Sequence, residues 1–214
     1  MKVLFWNVDT QKDFMLKEGK LYIEGAESII PNLKKLTELA REKNIKVVNT
    51  ADYHTSTSSE LSDKPDFINT FPEHCMAGTP GGDFIDETYP KCMHDNYYIV
   101  APNDAVIDEA TFGRARNIVI FKDKFDVFTG NPHTKEALRL LNLGVDFDLI
   151  VVYGVASNVC VKFAVEGLLK EGFKVAVIRD AIKGIAALPD PIEDWFLAGV
   201  NIISTETLIN LLKC

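Results

Sequence analysis

Three residues able to do nucleophilic chemistry stand just past three apolar runs of the chain. Asp9 follows residues 2–8, Lys122 follows residues 117–121 with Lys124 close behind, and Cys160 lies shortly after residues 148–153. Each run is rich in β-branched residues, as suits a buried parallel strand. Ligands of open α/β sheets bind beyond the carboxyl ends of the strands, so the three groups should converge there. A thiol, a base and a cation in one pocket form a nucleophilic-catalysis arrangement. Asp9 could take the Cys160 proton, and a lysine could stabilise the thiolate and carboxylate together. Periodicity does not separate Lys122 from Lys124. Around Cys160 the chain reads Gly154-Val155-Ala156-Ser157-Asn158-Val159-Cys160. Gly154 should end the strand, Ser157 and Asn158 are good N-caps, and an apolar periodic segment follows over 159–169. Cys160 then falls in the first turn of a helix, where free N–H groups and the helix dipole lower a thiol pKa.

A second constellation is Asp52-Tyr53-His54 with His74 further on. In extended chain, residues two apart point to the same side. A carboxylate with imidazoles is a ligand set for Zn²⁺, Fe²⁺ or Mn²⁺. Two of the chain's four histidines thus sit in one polar region. Glu60, in the same region, is a possible further ligand. Three or four protein ligands completed by water would leave an open site.

The elements that must position these groups follow from periodicity and punctuation. Strands are expected over 2–8, 45–49, 117–121, 148–153, 174–178 and 200–203, with 97–100 a possible short addition. Helices are expected over 26–43, 134–143, 159–170, 192–198 and 205–212. Residues 55–80 are rich in Ser, Thr, Asp, Pro and Gly, and they lack periodicity. A loop of that length in a compact domain tends to be functional, and this one should fold back over the sheet edge. Alternating strands and helices predict a three-layer α/β/α, Rossmann-like fold, with a six-stranded, mainly parallel sheet in one domain, 1–214.

The chain has 214 residues, 47% of them hydrophobic, and a net charge of −8. The acidic balance and the lack of a basic run disfavour nucleic acid and anionic membranes as partners. No apolar run is long enough to span a bilayer, and no secretory cleavage pattern opens the chain. The four cysteines, Cys75, Cys92, Cys160 and Cys214, form no CxxC, which argues for reduced thiols and a cytoplasmic location. Without a glycine fingerprint, dinucleotide binding has no support. A homo-oligomer stays open.

Taken together, five segments resemble the isochorismatase-like cysteine hydrolases, and within them the nicotinamidase/pyrazinamidase branch. They are Val8-Asp9-Thr10-Gln11-Lys12-Asp13-Phe14, Asp52-Tyr53-His54, Phe71-Pro72-Glu73-His74-Cys75-Met76-Ala77-Gly78-Thr79-Pro80-Gly81, Lys122-x-x-Phe125-Asp126-Val127-Phe128 and Gly154-Val155-Ala156-Ser157-Asn158-Val159-Cys160-Val161. They occur in the family's order. The resemblance implies the isochorismatase-like hydrolase fold and a triad of Asp9, Lys122 and Cys160. It implies a divalent metal, Zn²⁺ before Fe²⁺ or Mn²⁺, held by Asp52, His54 and His74, with Glu60 where a fourth ligand would fall. It further implies a cis peptide between Val155 and Ala156, an oxyanion hole from the Ala156 and Cys160 amides, and a substrate ring held by Phe14, Phe71 and Val155. The implied reaction is hydrolysis of nicotinamide, with pyrazinamide as a further substrate. The alternative is another small amide or ureido compound.

Overall fold

Seven strands lie side by side, all parallel, in the order β3-β4-β2-β1-β5-β6-β7. They are β1 Val3–Val8, β2 Val47–Asp52, β3 Tyr97–Val100, β4 Asn117–Lys122, β5 Leu149–Val155, β6 Val175–Lys183 and β7 Asn201–Ile203. The structure, a computed structural model, describes residues 1–90 and 96–213; Cys92 and Cys214 lie outside these. The sheet has one strand more than the six expected, because β3 pairs with β4 as an edge strand. Only Val100 of β3 is buried, so its apolar signal is weak.

Strand side chains alternate between two cores. Leu4, Trp6 and Val8 of β1 join the core under α3 (Glu109–Arg114), α4 (Val127–Gly130), α5 (Thr134–Asn142), α6 (Cys160–Lys170) and α7 (Ile192–Leu197). Val3 and Phe5 join the core under α1 (Lys12–Met15), α2 (Ile30–Glu42) and α8 (Thr205–Lys213). Leu33, Leu36, Leu39 and Ala40 line the buried stripe of α2, and truncating Leu36 to Ala should cost about 2–5 kcal/mol. No helix among the described residues is long and apolar enough to cross a membrane.

Two boundaries differ from expectation, and both bear on the site. β2 runs on to Asp52, which pairs with Lys122 at the end of β4. β5 runs through Gly154 to Val155. Gly154 adopts φ 119°, and a Cβ there would stand 2.1 Å from the Val8 carbonyl oxygen. The glycine therefore permits close approach of β1 and β5 rather than ending the strand. From β1 the chain winds first to β2 and later, on the other side, to β5. The C-terminal ends of these strands form the crevice where such sheets bind ligands.

Residues 55–80 fold back over that crevice. His54 and Met76 form a parallel bridge, and Ser62 and Phe71 are joined by a backbone hydrogen bond of 2.9 Å. The Asp66 carboxylate accepts from the Ile68, Asn69 and Thr70 amides, so side-chain bonds supplement the few backbone bonds of this segment.

Candidate active site

Asp9, Lys122 and Cys160 do meet. Lys122 Nζ lies 2.9 Å from Asp9 Oδ2 and 3.7 Å from Cys160 Sγ. Lys124, its competitor in sequence, is exposed. Asp9 follows β1 in the left-handed region, at φ 48°, which Asp tolerates better than most residues. Thr50 fixes it from both sides: the Asp9 amide donates to the Thr50 carbonyl at 3.1 Å, and the Thr50 hydroxyl donates to Asp9 Oδ1 at 2.6 Å. Cys160 is the first residue of α6, so its N–H has no partner within the helix. The Val155–Ala156 peptide is cis.

Asp52, His54 and His74 also meet, and they touch the first group. Lys122 Nζ donates to Asp52 Oδ1, while Asp52 Oδ2 faces His54 Nε2 at 3.8 Å and His74 Nε2 at 3.7 Å. Ligands at about 2.0–2.2 Å from a tetrahedral ion stand about 3.3–3.6 Å apart, close to these separations. His74 Nδ1–H donates to the Pro72 carbonyl at 2.7 Å, which leaves Nε2 its lone pair. Both His54 nitrogens are buried without a hydrogen-bond partner, a costly state that a coordinated ion would relieve. The residues present fit a divalent metal. Glu60 is not among the three whose donor atoms gather within 4.8 Å. Its Oε1 accepts from the Phe125 amide at 3.0 Å, and its buried Oε2 has no partner.

Burial dominates the electrostatics. It pushes the Asp9 carboxyl up, against the pull of Lys122, and pushes the Cys160 thiol well up, again against Lys122. Burial thus moves the Cys160 thiol upward, the reverse of the direction expected from the helix N-terminus alone. Burial also opposes the Lys122 charge, but Asp52 and then Asp9 hold its pKa well above the ordinary lysine value. For Asp52, burial is outweighed by Lys122 and the two histidines, which keep it well below the ordinary carboxylate range. One buried cation thus serves two carboxylates and a thiol.

Both groups open on a cavity of about 460 Å³ whose wall includes Phe14, Phe71, His74, Ala156 and Cys160. The Phe71 ring meets Phe125 edge-on at 5.4 Å, and Phe14 packs against His74 at 5.5 Å. Val155 does not line this cavity; it is fully buried in the core on the α2 side, because the next residue, Ala156, takes the place at the wall.

Other residues hold the site without having been singled out by type. Gln11 grips the backbone of Asp52, donating from Nε2 to its carbonyl at 2.8 Å and accepting from its amide at 2.7 Å. Asp13 Oδ2 accepts from the Cys75 amide at 2.7 Å, next to His74. Cys75 itself is a free, buried thiol packed in the core. The alternation Asp9-x-Gln11-x-Asp13 was the available signal. Ser157 and Asn158 do not cap α6, which has no side-chain cap. Asn158 instead bonds across to Ile185 and Leu188.

The chain is similar to known amidases in sequence. A nicotinamidase/pyrazinamidase of Mycobacterium tuberculosis is 27% identical over 182 residues, covering 84% of this chain and 86% of that protein. An N-carbamoylsarcosine amidase of Arthrobacter is 26% identical over 160 residues, 74% of this chain and 50% of that protein. The crystal structure of the Pyrococcus horikoshii pyrazinamidase in complex with zinc superposes with a TM-score of 0.71 at 23% identity, over 95% of this chain and 99% of that one. The isochorismatase domain model matches residues 3–206, nearly the whole of the α/β unit that brings Asp9, Lys122 and Cys160 together, and the chain belongs to the isochorismatase family.

Proposed function

We propose that the protein is a metal-dependent cysteine amidohydrolase that converts nicotinamide to nicotinate and ammonia, with pyrazinamide as a further substrate. One observation carries the reading: the Asp9–Lys122–Cys160 cluster and the Asp52–His54–His74 cluster are joined by the Lys122–Asp52 ion pair and face one cavity. A nucleophile beside a site for a nitrogen-binding ion suits an amide attached to an azine ring.

Asp52, His54 and His74 hold the ion, Zn²⁺ first with Fe²⁺ or Mn²⁺ as alternatives. When bound, it supplies a Lewis-acidic anchor for a ring nitrogen. Phe14 and Phe71 flank the ring. Asp9, pushed up by burial, is a better match to a thiol than an ordinary carboxylate, and takes the Cys160 proton as sulfur attacks the carboxamide carbon. Lys122 stabilises the negative charge throughout. The Ala156 and Cys160 amides receive the oxyanion. Asp9 then returns its proton to nitrogen as the C–N bond breaks, and ammonia leaves a thioester. Asp9 next takes a proton from water, which adds to the thioester and expels Cys160. The released thiolate recovers the proton.

Ammonia release from nicotinamide, with and without a chelator, tests the reading. Chelator-sensitive turnover supports it, and no turnover by the metal-loaded protein overturns it. A second reading keeps the triad and changes the substrate to a small ureido compound, as the similarity to an N-carbamoylsarcosine amidase suggests. Ammonia release from N-carbamoylsarcosine, insensitive to chelator, would favour that alternative.

A further inference from the structure

The cavity is larger than a one-ring carboxamide needs. Nicotinamide has nine heavy atoms; at a full water's share of about 30 Å³ each it takes at most roughly 270 Å³. The cavity holds about 460 Å³. Even after an ion and its water take their share at the inner end, room remains for a second ring. That room faces solvent, where the exposed lining residues Glu24, Phe67, Ala186, Ala187 and Leu188 stand, with Leu21, Ile23 and Ile185 beside them. Its walls are mostly apolar: Leu21, Ile23, Phe67, Ile185 and Leu188. Phe67 is 61% exposed and Leu188 42% exposed, so apolar surface stays in contact with water that a ligand would displace. Glu24 is the one charged residue of this outer part, and it disfavours an anionic tail.

We infer that the preferred substrates are azine carboxamides bearing an uncharged aryl or bulky apolar substituent that fills this outer chamber. The inference rests on the amidase reading above. With the ring nitrogen toward Asp52, His54 and His74 and the carboxamide at Cys160, the 5-position of the pyridine ring lies opposite both anchors. A substituent there runs toward the mouth without disturbing either.

The test compares nicotinamide with 5-phenylnicotinamide on the metal-loaded protein, following ammonia release. The phenyl amide is expected to show a kcat/KM at least about tenfold higher, chiefly through KM, on the scale that a well-seated apolar group adds in a pocket. The Cys160→Ala protein should likewise bind it about tenfold more tightly by calorimetry. Ala187→Trp, which places a large ring at the mouth, should lower kcat/KM for the phenyl amide at least tenfold more than for nicotinamide. Nicotinamide turnover with a phenyl amide at or below parity overturns the inference and leaves the amidase reading standing. If neither amide is turned over and the Cys160→Ala protein binds neither, the amidase reading fails and the inference with it.

Discussion

The inner and outer ends of the cavity are built by different means. At the inner end, Asp9, Asp52, Lys122 and Cys160 come from the ends of four neighbouring strands, β1, β2, β4 and β5, or just past them. Ladder hydrogen bonds fix their relative height; Asp52 pairs directly with Lys122. At the outer end, the wall is residues 21–24, Phe67 and residues 185–188, outside any strand or α-helix. Charge sits where the backbone is over-determined by the sheet ladder, and shape is left to loop segments with scattered backbone and side-chain bonds. A buried charge must keep its partner within a fraction of an ångström to offset desolvation. An apolar wall tolerates displacement, since its contacts are non-directional.

Substitutions at the inner end should therefore be severe. Cys160→Ala is expected to cut ammonia release at least about 10⁴-fold while leaving nicotinamide binding intact by calorimetry. Residual turnover near the wild-type level would remove Cys160 from the chemistry. Lys122→Met strands Asp9 and Asp52 without their shared cation, and should cost about 3–5 kcal/mol in urea denaturation. Phe67→Ala, at the outer end, should cost less than about 0.5 kcal/mol in the same assay, because its ring is mostly in water. Equal losses from the two would erase the contrast.

His74 joins the two ends, since its ring faces Asp52 and also packs against Phe14 and Phe71. His74→Ala should lose the metal on purification, by elemental analysis, and raise the KM for nicotinamide about 100-fold. Full metal occupancy in this variant would take His74 out of the ligand set.

The inner end was largely legible in the sequence, for a physical reason. A strand–turn–helix unit has a strong period and sharp punctuation, so Asp9, Cys160 and a lysine could each be placed at a strand's carboxyl end from apolar pattern alone, while the choice of Lys122 over Lys124 rested on the family resemblance. What the pattern could not show was distance. The triad and the Asp-x-His group read as separate constellations, yet the Lys122–Asp52 ion pair joins them, because β2 runs three residues past the point where its apolar signal fades. Polar Thr50 and Asp52 are buried at the strand end, where function replaces hydrophobicity. The thiol's upward shift was not legible because its causes, burial and the facing Asp9 and Asp52 carboxylates, are invisible in a linear pattern. The outer end was nearly illegible: Phe67 and residues 185–188 carry no periodicity, and Asn158 reads as a cap when it is a cross-brace.

Glu60 separates the two kinds of construction more finely. Burial raises its pKa to about 7, so the folded protein holds this proton more tightly than the unfolded chain, where a carboxyl titrates near 4.5. Its contribution to stability is full below about pH 4.5 and is lost as pH rises through about 7. Glu60→Gln in metal-free protein should match the wild type at pH 4 and exceed it at pH 8. The gain is at most about 3 kcal/mol, the free energy of a shift from 4.5 to about 7. Zn²⁺ affinity should change less than about threefold, because Glu60 stands outside the trio; a loss of about tenfold or more would make it a ligand after all.

The smallest effect is expected from loosening the outer wall alone. Asn158 Nδ2 donates to the Ile185 carbonyl at 2.8 Å and to that of Leu188 at 3.2 Å, and its Oδ1 accepts from the Ile185 amide at 3.0 Å. These bonds tie the segment that closes the mouth to the turn just before the nucleophile. Asn158→Ala removes them at roughly 0.5–1.5 kcal/mol each at most, part of which water recovers. KM for nicotinamide should rise about threefold with kcat within twofold of the wild type, since the wall moves and Cys160 does not. A kcat loss of about 100-fold or more would mean that Asn158 holds the nucleophile itself, and that the strand ends do not fix its position unaided.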